Sequence, residues 1–596
     1  MCTEYFIPCT NSMEKGAPNM STNVSKEKRE KLVEKIKAIK TYIATAEQDE
    51  NTAQLLTYIA EIEKDIKGKK YGLVFEEHRE SIDETLESNL PVLVEDESLF
   101  IDNGGQMNFL IEGDNLASLK LLEKTHKGKI DVIYIDPPYN TGNKDFVYDD
   151  VFVSVDDGFR HSKWASFIAK RLEIAKTLLS EKGFICISID DNEYSTLKAL
   201  CDEIFGDFNY LSTFHIQVRY ADKSLNEEKP FKPLMEYVLF YAKNSLQFHP
   251  KRETVEYGLE KFCYRITELD CGTKFTVNNQ EVVVYKPNQW KIEKIQGCIE
   301  GLKETWITGS IYTTMSYGKV FQTVVEPRIN IDGLGCLYKV IGRGDDGLGY
   351  RYYTGPAKAT ATKGKMYSGV PLEKVAEFNS GKVPKRELPI LTVFDFSPDF
   401  GNIRSEGGVP FGSGKKPIKM IKQFIDYHLD NSATVLDFFA GSGSTGHALV
   451  NLNNQDGGKR KFILCTNNEN NICRNVTYER LKNVINKEGN ASLKYFKVDF
   501  VPISDKLYYE YADELLKHVK ELVELENAIN FNGNDKIAII LTEEELDGFA
   551  NAIPETCKTV YLGHDVLTSE TQEKIFKKNG ITINVIPDYY YRDLEA

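Results

Sequence analysis

An apolar run, Ile130-Asp131-Val132-Ile133-Tyr134-Ile135, stops at Asp136-Pro137-Pro138-Tyr139. Short β-branched runs of this kind form buried strands of parallel sheets. Neither proline has an N–H and each fixes φ, so the ladder ends in a stiff corner. The chain is therefore expected to be α/β. A carboxylate and an aromatic ring are held at the carboxyl end of a strand, where open α/β sheets bind ligands. Such a corner suits a planar ring with an exocyclic amino group. Asp136 and a backbone carbonyl can accept the two amino hydrogens, and Tyr139 can stack on the ring. Pro-Pro after a strand is also an ordinary turn, and a tetrapeptide alone decides nothing.

A second element lies far downstream. The apolar strand Thr434-Val435-Leu436-Asp437 runs through Phe438-Phe439-Ala440 into Gly441-Ser442-Gly443-Ser444-Thr445-Gly446. Glycines at 441 and 443 let a backbone approach a ligand closely. The helix expected from Ser444 to Leu452 offers N–H groups to a carboxylate or polar tail. The alternative is a dinucleotide fold, but Phe439 stands at the tight-turn site of that fingerprint. Gly412-Ser413-Gly414-Lys415-Lys416 is no P-loop, because the first glycine and the Ser/Thr after the lysine are both wrong.

DPPYNTG at 136–142 together with FFAGSGSTG at 438–446 resembles the amino-directed DNA methyltransferases that use S-adenosylmethionine. The catalytic motif precedes the cofactor motif, the order of the β class. Further segments are similar to the modification subunits of type III restriction systems. They are Tyr71-Gly72-Leu73-Val74-Phe75-Glu76, Ile111-Glu112-Gly113-Asp114-Asn115-Leu116, His161-Ser162-Lys163-Trp164, Ile187-Ser188-Ile189-Asp190-Asp191-Asn192-Glu193, Thr466-Asn467-Asn468-Glu469-Asn470 and Lys494-Tyr495-Phe496-Lys497. The match covers roughly 70 to 244 and 390 to 500, and the C-terminal part more weakly. Two departures are small: Ser444 stands where threonine is common, and 412–417 is a loose version of the usual Lys-Pro element.

The resemblance implies a Rossmann-like methyltransferase sheet with an inserted target-recognition domain. It implies Asp136, Pro137, Pro138 and Tyr139 as the catalytic residues. It gives Asp114, Asp437, Phe439, Ala440, Gly441, Ser442, Gly443 and Glu469 to S-adenosylmethionine, and no metal. Glu469 also follows from position, since an acidic group past the second strand can accept from ribose hydroxyls. Asn467 or Asn468 could serve instead. The implied partners are double-stranded DNA, a second copy in a homodimer, and a separate restriction subunit with helicase and nuclease parts. The implied setting is the bacterial cytosol.

Composition bounds the rest. At 596 residues, two to four domains are expected. No run of about twenty apolar residues occurs, so no membrane span is expected. The polar start, Met1 to Met20, has no apolar signal core. The net charge of −15 argues against nucleic acid only in bulk, because a local basic groove still binds phosphate. The 11 cysteines form no C-x-x-C pair, which fits a reduced compartment without structural zinc.

The expected organisation is a disordered tail at 1–24, a helical hairpin at 25–70 and the catalytic half of the core at 71–244. A target-recognition domain follows at 245–390, then the cofactor half at 391–500 and a small α/β domain at 501–596. In the insertion, Arg343, Arg351, Lys358 and Lys363 mix with tyrosines, as a surface that contacts phosphates and bases requires. The alternative there is an ordinary β domain with a solvated charged face. A single helix is expected over 507–525.

No cysteine lies in the catalytic stretch, which argues against a cytosine-C5 thiolate mechanism. Asp at 136, where cytosine-N4 enzymes of the class more often carry Ser, leans toward adenine-N6. The target must leave the duplex stack, with Tyr139 as its stacking partner. The competing readings are a stand-alone enzyme, a cytosine-N4 enzyme, a non-catalytic specificity subunit, or an RNA or protein methyltransferase.

Overall fold

The computed structural model describes residues 24–45, 55, 58–59, 76–142, 146–148, 151–154, 156–222, 230–277, 279–307, 316–410, 415–503 and 508–591. The expected tail, most of the second hairpin helix, the element Tyr71–Phe75 and Gly412-Ser413-Gly414 lie outside these residues. The first hairpin helix is Val24–Thr45.

Ten strands form the main sheet: β1 (Asn89–Glu95), β2 (Gln106–Glu112), β3 (Ile130–Ile135), β4 (Leu179–Ile189), β5 (Tyr210–Gln217), β6 (Met235–Ala242), β7 (Val393–Asp395), β8 (Thr434–Asp437), β9 (Lys461–Thr466) and β10 (Ala491–Pro502). Their order is β1-β10-β2-β9-β8-β3-β4-β6-β5-β7. From β10 to β4 every neighbouring pair is parallel. β1 closes one side antiparallel, and β6 and β5 extend the other antiparallel. The parallel strands are buried apolar runs, because helices such as Asn115–His126, Arg160–Leu178 and Ser444–Asp456 connect and cover them. This is the Rossmann-like α/β arrangement expected.

The two sequence halves interleave. β2 lies between β9 and β10, and β8 lies between β9 and β3. Val435 pairs with Val132 and Leu436 with Ile133. The carboxyl ends of β3 and β8, about 300 residues apart in the chain, are thus one ladder spacing apart in the sheet, about 5 Å. Neither half can complete its sheet without the other.

The chain divides into two compact units, Met1–Lys251 with Leu391–Ala596, and Arg252–Ile390. The second unit holds a six-stranded antiparallel sheet with both faces buried. Val282, Val284, Tyr338 and Tyr353 pack on one side, and Val283, Tyr285, Leu337 and Tyr352 on the other. The period of two is that of a strand. After β10 come two helices, Tyr508–Leu516 and Val519–Asn527, where one was expected. The break falls at Lys517-His518, and the His518 ring reaches the Leu93 carbonyl oxygen at 3.2 Å. A three-stranded parallel sheet follows, Ile537–Ile540, Thr559–Gly563 and Thr582–Ile586. Its Tyr561 and Ile586 join the apolar core of the main sheet.

Candidate active site

The corner after β3 is locked from behind. Trp164 Nε1 donates to the Pro138 carbonyl at 2.7 Å. Asn140 takes φ +56°, a left-handed conformation that Asn tolerates well, and is buried. Its Nδ2 donates to Glu193 Oε1 at 2.6 Å, and His161 Nδ1 meets the same oxygen at 2.6 Å. The segments His161–Trp164 and Ile187–Glu193 thus act as the frame of the Asp-Pro-Pro-Tyr corner.

In front of that frame stands a buried polar cluster. Lys416 Nζ donates to the Tyr139 hydroxyl and to Glu236 Oε2, each at 2.6 Å, and lies 3.4 Å from Asp136 Oδ1. Tyr139 also donates to Glu236 Oε2 at 3.1 Å. Asp136 Oδ1 is sealed from solvent with the Lys416 ammonium 3.4 Å away, while the Asp136 side chain keeps 21% exposure. One carboxylate oxygen is therefore turned to the protein and the other is reachable. Burial pushes Asp136 up to about 6; Lys416 opposes the shift and the Glu236 charge adds to it. Burial works against the Lys416 charge, but Asp136 and Glu236 together hold it above the ordinary lysine value. Lys416 likewise keeps Glu236 below its usual value against the effect of burial. Tyr139 is pushed up, by burial first.

Beside the corner a cleft of about 300 Å³ opens at the carboxyl ends of β2, β3, β8 and β9. Its walls include Asp114, Pro138, Phe439, Thr466, Asn467 and Glu469. Asp114 caps the following helix, accepting from Leu116 N at 2.7 Å and Ala117 N at 3.3 Å. Asn467 Nδ2 donates to Glu469 Oε1 at 2.9 Å, whereas Asn468 turns away to Glu112. Of the three acceptors weighed for a ribose, Asn467 and Glu469 reach the cleft. Gly441 adopts φ +48°, and a Cβ there would meet only the Phe439 carbonyl oxygen, at 3.7 Å.

Several expected residues have partners within the fold. Asp437 spends both carboxylate oxygens on the turn itself, accepting from Phe439 N at 2.9 Å and Thr445 Oγ1 at 2.5 Å. Burial pushes it up to about 7. It shapes the turn. The Ser442 hydroxyl is buried between Ser444 and Arg480. Ala440 is also buried, its N–H donating to the Cys465 carbonyl at 3.2 Å. Arg351 corrects the expected phosphate contacts. It is buried, with one terminal nitrogen on Asp346 and the other 2.8 Å from Asp345. Arg343 Nε donates to Gln280 Oε1 at 3.2 Å. Lys358 and Lys363 are exposed.

Other residues of the site were missed. Arg480, fully buried, donates to Ser442 Oγ at 3.1 Å, Ser444 Oγ at 2.7 Å and Glu406 Oε2 at 3.0 Å. It ties the glycine turn to the segment that leads to Lys416. Arg171, also fully buried, holds Glu80 and Asn115 beside the cleft. The one clue to Glu236 is a carboxylate inside an otherwise apolar strand, read from the sequence as Glu236–Ala242 and found as β6. The sequence shows Lys416 only as part of a loose Lys-Pro element.

Among known proteins, residues 130–478 match the family described as DNA methylase, of the N6/N4 type. The chain is 30% identical over 410 residues to the type III restriction-modification enzyme StyLTI Mod subunit of Salmonella typhimurium, covering 64% of this chain and 56% of that one. It is 29% identical over 400 residues to the EcoP15I Mod subunit of Escherichia coli, covering 61% and 58%. The chain thus spans under two thirds of the length of these relatives. A solved structure, the cytosine-N4-specific PvuII DNA methyltransferase, aligns over 66% of this chain and 98% of its own, with 11% identity and a TM-score of 0.30.

Proposed function

The chain belongs to the DNA methylase family, and from that premise we propose that it transfers a methyl group from S-adenosylmethionine to adenine N6 in double-stranded DNA. We assign it as the modification subunit of a type III restriction–modification system, working as a homodimer with a separate restriction subunit. The names of the relatives support the type III reading. Among the described residues no helix is long and apolar enough to cross a membrane.

One observation carries the enzymatic reading. Pro138, inside the catalytic corner, lines the same cleft as Phe439 and Glu469. A cofactor in that cleft and a base at Asp136 and Tyr139 would therefore be neighbours. The cleft fits the cofactor: aromatic rings for its adenine and Glu469 and Asn467 for its ribose; Gly441, two residues beyond the lining residue Phe439, is the turn we assign to its amino-acid end. When bound, the cofactor supplies an activated methyl group on a sulfonium. The protein supplies position and acceptors. The adenine amine is a poor nucleophile because its lone pair is delocalised into the ring. Accepting its hydrogens at Asp136 and at the Pro137 carbonyl makes the lone pair available. Transfer leaves a proton on the nitrogen, which passes to Asp136 or to water. Incubating DNA with the purified chain and labelled S-adenosylmethionine, then sequencing the modified bases, tests this. N6-methyladenine at one sequence is expected; N4-methylcytosine or no label overturns it.

Target choice is assigned to the Arg252–Ile390 unit. Its exposed Lys358 and Lys363 remain candidates for phosphate, with exposed Trp306 as an apolar contact. Replacing both lysines by alanine should weaken DNA binding and reduce the slope of log K against log salt by about two. Titrations at several salt concentrations measure this, and an unchanged slope removes the two lysines from the interface. Arg351→Ala has a different expected effect, because it takes the cation from buried Asp346, leaving it the Leu348 and Gly369 N–H donors, and costs folding stability.

A further inference from the structure

The catalytic corner contains a cation and a second carboxylate that the transfer reaction, as proposed, leaves without a part. Lys416 Nζ has three N–H donors. Two go to Glu236 Oε2 and the Tyr139 hydroxyl, each at 2.6 Å, and Asp136 Oδ1 stands 3.4 Å away for the third. The Lys416 side chain is 8% exposed and that of Glu236 17%. A buried ion pair adds little net stability, since desolvation offsets much of the attraction. Stability alone therefore gives no reason to bury an ammonium here, whereas its three partners include both residues that touch the target base.

We propose that Lys416 and Glu236 are positioning residues for the target base: Lys416 keeps Asp136 a carboxylate and pins Oδ1, leaving Oδ2 for the amine, and Glu236 anchors Lys416. Lys416 also fixes the Tyr139 hydroxyl, so the ring that stacks on the base is held in orientation. The assignment rests on the methyltransferase reading and concerns the same site. Without Lys416, two buried carboxylates would face each other and compete for one proton. Asp136 would then be neutral over part of the working range and would lose acceptor capacity. Without Glu236, the full Lys416 charge would fall to Asp136.

The groups around this pair come from several elements. Tyr134 on β3 and Asp437 on β8 interact with Asp136. Asp190 after β4 and Arg219 after β5 interact with Glu236. They set where the titration lies, and the test leaves them untouched. Asp136 is the stronger acceptor for the amine when ionised, because protonation removes its charge and part of its acceptor capacity, so activity falls as pH drops through its titration. Raising that titration moves the acidic limb of the rate profile to higher pH, and lowering it moves the limb down.

The experiment is kcat/KM for methyl transfer across pH 5 to 9, together with cofactor affinity by calorimetry. The parent protein, Lys416→Met, Lys416→Arg, Glu236→Gln and the double variant Lys416→Met/Glu236→Gln are compared. Lys416→Met should move the acidic limb up by about one pH unit or more, a roughly tenfold loss below the limb relative to its own plateau. Glu236→Gln should move it down. The double variant should fall between the two, Lys416→Arg should stay near the parent, and cofactor affinity should hold throughout. A role in packing alone would scale the whole profile without moving the limb. If Lys416→Met does not fold, the downward shift in Glu236→Gln decides. Limbs that stay put, or that move the same way in both variants, overturn the proposal. A parent protein that transfers no methyl group fails the methyltransferase reading instead, and the two failures are told apart by that first measurement.

Discussion

Asp136→Ala should reduce methyl transfer by roughly 10²–10⁴-fold, the usual cost of removing a positioned polar group that acts on the reacting atoms. Cofactor affinity should be almost unchanged. Asp136 does not line the cleft beside Phe439 and Glu469, and the corner reaches it through Pro138. The Pro138 carbonyl keeps its hydrogen bond from Trp164 whatever the side chain at 136. The variant should also fold, since Lys416 keeps Glu236 and the Tyr139 hydroxyl at 2.6 Å and no buried cation is stranded. Asp136→Asn preserves shape but gives up charge and one acceptor, so it should fall between alanine and the parent. Single-turnover transfer and a cofactor titration on the same preparations separate chemistry from binding. A near-parent rate in the alanine variant would remove Asp136 from the reaction.

The parts of the site that could be read in the sequence are those written in consecutive residues. β3 spans Ile130–Ile135 as its apolar run dictates, and β9 spans Lys461–Thr466. The helix after the glycine turn begins at Ser444 but runs to Asp456, beyond the expected Leu452, and ends before Gly457 at φ +70°. Polar partners are another matter. Lys416 is 277 residues from Tyr139 and 180 from Glu236, and no periodicity links them. Tyr139 and Glu236 come together because β3, β4 and β6 are adjacent in the sheet, Lys416 arrives just before the helix Ile418–Ile425, and strand order is not contained in any local pattern. Arg480 and Arg171 were passed over for a related reason. A charged residue at helical spacing reads as solvated, and only tertiary contacts bury it among acceptors. The reverse error occurred at Arg351. Tyr350-Arg351-Tyr352-Tyr353 reads as an exposed mixture of cations and aromatics. It is an interior strand of a sheet covered on both faces, and the turn before it brings Asp345 and Asp346 to neutralise the guanidinium.

Gly441→Val should cut S-adenosylmethionine affinity by about tenfold or more, about 1.4 kcal/mol, while the protein still folds. The argument rests on what surrounds the missing Cβ. At Gly441 it would touch only the Phe439 carbonyl oxygen, at 3.7 Å, an ordinary contact, so the protein itself does not exclude a side chain there. What disfavours a side chain there is the backbone geometry: φ is +48°, and a β-branched residue in that region costs about 1–3 kcal/mol. Strain present both with and without ligand lowers the melting temperature but cancels in the affinity. The affinity loss must then come from methyl groups standing where the cofactor approaches the backbone. Gly441→Ala carries less strain and less bulk, so it should lower the melting temperature less and cost less affinity. Gly446 supplies the contrast. A Cβ there would lie 2.6 Å from Leu481 Cδ2 and 3.0 Å from Leu464 Cδ1, so Gly446→Val should damage the packing of helix on sheet and lower stability outright. Calorimetry and thermal melts on the three variants separate these effects. Parent-like affinity in Gly441→Val would mean that the cofactor does not approach this turn, and the amino-acid end of its site would have to be sought on the Asp114 side of the cleft.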